Sequence, residues 1–135
     1  MIVLDSSILV GIIKGEPDAE QLLDLLDREE CAIGAPTLVE TRAWCSINLR
    51  ARSSAWLEDF FAAGPGTVIP FSRPMADIAS RAFQSFGRQS GHAARLNYGD
   101  CMAYAVSIVL QAPLLFNGGD FGLTDVMAHP SSIRT

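Results

Sequence analysis

Short apolar runs alternate along the chain with longer stretches in which apolar residues recur at helical spacing. The runs are bounded by turn or capping residues, which is typical of buried strands. Four of them predict core strands and a fifth predicts an edge strand: 2–4, 32–34, 67–69, 113–116 and 126–128. Because helices are predicted between these strands, we expect an α/β fold with a mostly parallel sheet of four to five strands and helices on both faces.

Capping residues and prolines indicate where the helices begin. Six helices are predicted, starting after Ser6-Ser7, at Pro17, at Pro36, after Ser53-Ser54, at Ser72 and after Asn97. The helix after Pro36 is expected to turn Leu38, Val39 and Ala43 inwards. The last helix is apolar on nearly every side, which predicts a central and buried position.

Length and composition limit the class of protein. The chain has 135 residues, of which 49% are hydrophobic and 19% charged, which predicts a single globular domain over residues 1–135. No apolar run approaches the roughly 20 residues of a membrane span, and residues 1–5 lack the pattern of a secretory signal. Three cysteines fit no zinc spacing or disulfide framework, so we expect small buried residues with reduced thiols in the cytoplasm: Cys31, Cys45 and Cys101.

Charge is distributed unevenly along the chain. The net charge is −5, but residues 16–30 alone contain seven acids against Arg28. Nine of the ten basic residues are arginine, whose planar guanidinium suits phosphate. The distribution permits a local RNA-binding face on the part of the chain that follows the acidic segment, while tight non-specific duplex binding is not expected.

Four acids stand where one predicted element gives way to the next. Asp5 closes the first strand, Glu40 lies in the first turns after Pro36, Asp100 heads the apolar last helix, and Asp120 follows the fourth strand across two glycines. Each also has an ordinary explanation: helix capping for Asp5, favourable interaction with the helix dipole for Asp100, a solvated surface for Glu40 and a turn for Asp120.

The shared placement of these acids points to metal chemistry. Ligands bind an α/β domain in the crevice at the carboxyl ends of its strands. Carboxylates gathered there repel one another unless a cation holds them together, and carboxylate oxygens suit Mg²⁺ or Mn²⁺. We therefore expect Asp5, Glu40, Asp100 and Asp120 to form a divalent metal site that hydrolyses a phosphodiester.

The chain resembles PIN-domain ribonucleases, specifically the VapC toxins of type II toxin–antitoxin pairs. Four motifs carry the resemblance, and their order and spacing match over essentially the whole chain: Met1-Ile-Val-Leu-Asp-Ser-Ser-Ile-Leu-Val10, Ala35-Pro-Thr-Leu-Val-Glu40, Leu96-Asn-Tyr-Gly-Asp-Cys-Met-Ala-Tyr-Ala105 and Pro113-Leu-Leu-Phe-Asn-Gly-Gly-Asp-Phe-Gly-Leu-Thr-Asp125. The family's four acids fall on Asp5, Glu40, Asp100 and Asp120. The sequence departs from the family at Asn117 and Gly119, and Asp125 is an alternative for the fourth acid.

The resemblance implies fold, activity and partners. It implies a three-layer α/β/α sandwich and a Mg²⁺- or Mn²⁺-dependent endoribonuclease, with the four acids as metal ligands and catalytic residues. It also implies a homodimer, a transfer or ribosomal RNA substrate, and a small VapB-like antitoxin whose C-terminal segment blocks the acidic pocket.

Three other interpretations are weighed against the nuclease. A receiver-like signalling domain needs a lysine after its last core strand, and the only lysine is Lys14. An Asp-nucleophile phosphatase needs an aspartate two residues after Asp5, where the chain has Ser7. A catalytically silent PIN domain that binds RNA or protein remains the alternative, and RNA cleavage with and without EDTA would distinguish it.

Overall fold

The computed structural model describes residues 1–133. Four strands alternate with six α-helices, and one 3₁₀ turn follows the last strand. In chain order the elements are β1 (Ile2–Leu4), α1 (Ser6–Lys14), α2 (Ala19–Arg28), β2 (Cys31–Gly34), α3 (Ala35–Leu49), α4 (Ala55–Ala62), β3 (Gly66–Ile69), α5 (Arg73–Phe86), α6 (Tyr98–Leu110), β4 (Leu114–Leu115) and the 3₁₀ turn Phe121–Leu123. The α/β prediction is confirmed.

All strand pairs in the sheet are parallel, in the order β3-β2-β1-β4. The register pairs Val3 with Ala32 on one side and with Leu114 on the other, so β1 is central. The chain builds outwards from β1 through β2 to β3 and then returns to place β4 on the opposite side. This reversal makes the carboxyl end of β1 the topological switch point, where ligands bind in open α/β sheets.

Two apolar clusters separate the sheet from its helices and define three layers. Side chains alternate between the two faces of a strand, so Val3 joins one cluster while Ile2 and Leu4 join the other. The Val3 cluster lies against α5 and α6, and the Ile2 cluster lies against α1, α2 and α4. Cys31, Cys45 and Cys101 are buried free thiols, as predicted.

Three local predictions are wrong. Residues 126–128 form only a single parallel bridge, between Ala128 and Leu114, and no strand. Asp5 rather than a serine caps α1, because its side chain accepts the backbone N–H of Ser7. On α3 only Leu38 of the expected inward residues is buried, while Val39 is 63% exposed. The buried face of α3 consists instead of Thr37, Leu38, Thr41 and Cys45.

Residues 1–133 contain no helix whose length and apolar character would allow it to cross a bilayer.

Candidate active site

The carboxyl ends of the parallel strands bring three helix starts to one edge of the sheet. The helices α1, α3 and α5 each begin within a few residues of the end of β1, β2 and β3. Because α6 leads into the parallel strand β4, its N-terminus lies at this edge as well. Asp5, Glu40 and Asp100 are therefore carried to the same region by three different helix N-termini.

Asp5 is almost fully buried, with 3% of its surface exposed. Its Oδ2 accepts hydrogen bonds from the backbone N–H (3.1 Å) and the hydroxyl (2.6 Å) of Ser7. The Ser7 hydroxyl oxygen in turn accepts the backbone N–H of Asn117 at 3.0 Å, just beyond β4. The backbone N–H of Asp5 also donates to the carbonyl of Leu115 at 3.1 Å. These bonds fix the Asp5 carboxylate to the first turn of α1 and to the end of β4.

Asp100 is fixed by a reciprocal cap at the start of α6. The backbone N–H of Asp100 donates to Oδ1 of Asn97 at 2.8 Å, and Oδ2 of Asp100 accepts the backbone N–H of Asn97 at 2.9 Å. This capping box satisfies two amides that a helix start leaves without partners. The prediction that Asn97 is the N-cap is confirmed, and the cap orients the Asp100 carboxylate.

Glu40 projects from α3 onto the first turn of α6. A Cβ atom placed on Gly99 would lie only 1.9 Å from Oε2 of Glu40 and 2.7 Å from its Cδ. The carboxylate therefore occupies the space that any side chain at residue 99 would need. Glycine at this position lets Glu40 reach the residue that directly precedes Asp100.

Asp120 is exposed and immediately precedes the 3₁₀ turn after β4. Its charge contributes to the raised pKa of Asp100, so it lies near that residue. Asp125 is held elsewhere, because its Oδ1 accepts the hydroxyl of Tyr104 at 2.6 Å. Burial raises the pKa of Tyr104, and the hydrogen bond to Asp125 raises it further. Of the two candidates for the fourth acid, the geometry thus favours Asp120.

The pKa of Asp100 responds both to burial and to the charges of the other three acids. Burial raises the pKa of Asp100 from its ordinary 3.8 to about 7, against the lowering effect of the backbone bond from Asn97. The charges of Asp5, Glu40 and Asp120 raise it further. Burial also raises the pKa of Asp5, as does Glu40, while the bonds from Ser7 oppose that rise. An ionised Asp100 is therefore unfavourable here without a compensating positive charge.

The donor set suits a hard divalent cation. All four acids offer carboxylate oxygens, the ligands that Mg²⁺ and Mn²⁺ prefer. Oδ1 of Asp5 is buried and has no hydrogen-bond partner among residues 1–133, which leaves it available to coordinate an ion. Within residues 1–133, no three His, Cys, Asp or Glu side chains lie close enough together to share one ion.

Sequence reasoning did not identify two of the positioning residues. Ser7 was expected to cap α1 and instead bridges Asp5 to Asn117, a role that depends on the proximity of β4. Gly99 has no role in the sequence analysis, and in the structure it makes room for Glu40. Both roles depend on residues far away in the sequence, so no local signal could have revealed them.

Comparisons with known proteins agree with this architecture. The family model described as PIN domain matches residues 2–126. Ribonuclease VapC28 of Mycobacterium tuberculosis is 34% identical over 129 residues, which cover 92% of this chain and 94% of that protein. Ribonuclease VapC of Mycolicibacterium smegmatis is 34% identical over 93% of this chain and 98% of its own length.

Solved structures show the same fold at lower sequence identity. A toxin–antitoxin complex from Klebsiella pneumoniae contains a chain that superposes with a TM-score of 0.70 at 18% identity, covering 98% of this chain and 100% of that one. VapC20 of Mycobacterium tuberculosis, described as a Sarcin-Ricin loop cleaving toxin, superposes with a TM-score of 0.67 at 16% identity, covering 93% and 96%. The chain belongs to the PIN-domain family and, within it, to the VapC ribonucleases.

Proposed function

We propose that this VapC-type ribonuclease is the toxin of a toxin–antitoxin pair and cleaves RNA internally with Mg²⁺ or Mn²⁺ held by Asp5, Glu40, Asp100 and Asp120. The observation that carries the proposal is the placement of Asp5, Glu40 and Asp100 on three helix N-termini at the carboxyl edge of the sheet, with Glu40 against Gly99. Burial and three acids together raise the pKa of Asp100, which agrees with this placement. Such a cluster is costly without a cation, and pKa shifts of this kind concentrate at functional sites.

Asp5 and Asp100 are the best-positioned metal ligands. Each has one carboxylate oxygen occupied by hydrogen bonds, at Ser7 and Asn97 respectively, so each presents its other oxygen in a fixed direction. When bound, the divalent ion would polarise the phosphodiester and lower the pKa of a water molecule. Glu40 and Asp120 have carboxylates that accept no hydrogen bond within residues 1–133, which leaves either free to orient that water and accept its proton.

The direct test is cleavage of RNA by the purified chain freed of any partner. We expect metal-dependent cutting in Mg²⁺ or Mn²⁺, complete inhibition by EDTA, and recovery when the metal is restored. Asp100→Asn should remove cleavage while circular dichroism shows an intact fold. A folded wild-type chain that binds RNA but does not cut it in either metal would instead support the catalytically silent alternative.

We also propose that a VapB-like antitoxin neutralises this chain. Membership of the VapC family supports the pairing, and the acidic site is a natural target for an arginine, whose guanidinium binds carboxylates in a bidentate manner. Co-expression with the adjacent small reading frame should give a complex that does not cleave RNA. Retention of full activity in that complex would contradict blocking of the site.

A homodimer is the assembly we propose. On the outer face of α3, Val39 is 63% exposed and Ile47 is 78% exposed, two positions that lie along the same side of the helix. A contiguous apolar patch on the outer face of a helix would be covered by such an interface. Light scattering of the wild type and of Ile47→Glu would test this, with a fall from two copies to one expected for the variant.

We further propose that the protein acts in the cytoplasm, where its RNA substrate is found and its three thiols stay reduced.

A further inference from the structure

An apolar groove of about 590 Å³ lies between α5 and α6. Its walls come from α5 and α6, with further lining from the first turn of α3 and from Phe71, two residues after β3. The side chains that matter for its chemistry are Phe71, Phe83, Gln84, Tyr98 and Met102. Tyr98 is 73% exposed and Phe83 is 37% exposed, so both rings are accessible from outside.

The groove lies next to the acid-bearing turns of α3 and α6, although none of the four acids lines it. Tyr98 and Cys101 line it, and Asp100 lies between them in the first turn of α6. Pro36 also lines it, one helical turn before Glu40 on α3. Residues that line the groove therefore lie within one helical turn of two of the four acids.

The chemistry of the lining is that of a nucleobase site. Aromatic faces accept stacked bases, which is the commonest way in which proteins bind unpaired RNA. Gln84 supplies an amide that can donate to and accept from a base edge. None of the lining residues carries a charge, and the absence of acids spares a polyanion from repulsion.

A positive residue extends the same face of α5 towards the sheet edge. The α5 residues in the groove are Ala76, Ala79, Ser80, Phe83 and Gln84, which recur at helical spacing. Arg73 precedes Ala76 by three residues on that face and its side chain is 90% exposed. Its nearest acid is Asp77, with Nε 3.8 Å from Oδ1, which leaves the guanidinium largely available to an RNA phosphate.

We propose that this groove binds one unpaired base of the RNA substrate, stacked on Tyr98, next to the phosphodiester held at the carboxylate cluster. The inference rests on the proposed ribonuclease function and deepens it, because it makes the substrate single-stranded at the cut. Tyr98 provides the stacking surface, and Gln84 contributes to the choice of base.

The test measures base binding separately from cleavage. The probe is a single-stranded uridine hexamer with one internal 2-aminopurine, and its partner probe has an abasic ribose at that position. Binding to the full chain is measured in EDTA, which prevents metal-dependent cutting. We expect the wild type to quench the 2-aminopurine fluorescence and to bind this probe about tenfold more tightly than the abasic one, the scale of one base–aromatic stack.

Matched variants identify the stacking residue. Tyr98→Ala should remove the preference for 2-aminopurine over the abasic probe, and Tyr98→Phe should keep it because the ring remains. Met127→Ala is the control, since Met127 is 58% exposed and lies outside the groove. Gln84→Ala should change which base is found beside the cut when a random-sequence RNA pool is cleaved and its ends are sequenced.

Three results would overturn the proposal. The first is a wild-type chain that does not distinguish the two probes. The second is a Tyr98→Ala chain that still distinguishes them as well as the wild type does. The third is a Tyr98→Ala chain that changes only the number of copies in the assembly, or only releases a co-purified protein, which would mean that a protein covers the groove.

The outcomes separate this proposal from the ribonuclease function. If the wild type binds the base but cuts no RNA in Mg²⁺ or Mn²⁺, the function fails and the groove stands. If RNA is cut and Tyr98→Ala matches the wild type in both binding and cleavage pattern, the groove fails and the function stands.

Discussion

Gly99→Ala is expected to disable the enzyme without destabilising it. The new methyl group would lie 1.9 Å from Oε2 of Glu40, so the carboxylate must retreat by roughly 1.5 Å to reach an ordinary contact. Glu40 can do this at little cost because only the far end of a flexible side chain has to move. Alanine in place of glycine also stabilises a helix by up to about 1 kcal/mol, so the melting temperature should stay level or rise.

The loss of activity follows from the displacement of Glu40. A misplacement of about 1 Å at a catalytic group costs on the order of 10²-fold in rate. We expect kcat/KM for RNA cleavage to fall by about that factor, measured on a fluorescent RNA under single-turnover conditions. The helical Gly11→Ala is the matched control, because its methyl group would meet Glu16, an acid outside the cluster, at 3.1 Å.

A double-mutant cycle decides whether Gly99 acts through Glu40. In a Glu40→Ala background the methyl group meets no carboxylate, so Gly99→Ala should cost nothing further. An equal loss in both backgrounds would refute the reasoning, as would a Gly99→Ala chain that cleaves like the wild type.

The remaining predictions concern the charges of the cluster. The pKa of Asp100 is raised to about 7, so the folded chain favours the protonated carboxyl group. Without metal, the free energy of unfolding should therefore be highest below about pH 4 and should decrease as the pH rises to 7. At about 1.4 kcal/mol per pKa unit, the free energy of unfolding should decrease by about 4 kcal/mol at most over this interval. Thermal melting measures the decrease, which should be smaller in Asp100→Asn and in the presence of Mg²⁺. A melting temperature that rises over this interval would contradict the assignment. Asp120→Asn should weaken Mn²⁺ binding in calorimetry, whereas Asp125→Asn should leave it unchanged and cost only the stability of the bond to Tyr104, about 1 kcal/mol. Equal losses of Mn²⁺ affinity in the two variants would place Asp125 in the site.

Sequence patterns predicted the elements well where local rules govern them. Asn97 was recognised as a cap because a capping box needs only residues three apart. The burial of α6 followed from its apolar character on nearly every side. The meeting of Asp5, Glu40 and Asp100 followed from a general property of parallel sheets, whose strand ends share one edge.

Predictions failed where a distant contact decides the outcome. On α3, apolar residues occur around the whole helix, so periodicity could not select the face that packs between α1 and α6. Thr37 and Thr41 are buried, whereas Val39 is exposed. Burial of Thr41 is tolerated because its hydroxyl donates a hydrogen bond to the carbonyl of Thr37 at 2.9 Å. The segment 126–128 was predicted to be a strand because its residues are apolar. In the structure only Ala128 pairs with the sheet, through a single bridge to Leu114.

The four acids come from four separate elements, and this has a consequence for synthesis in the cell. Asp5 is among the first residues to leave the ribosome, but the strand that fixes it, β4, and the last acid, Asp120, are among the later ones. A nascent chain therefore carries scattered carboxylates and no assembled centre until translation has passed residue 120. On the proposed function, the chain therefore gains the ability to cleave RNA only near the end of its own translation.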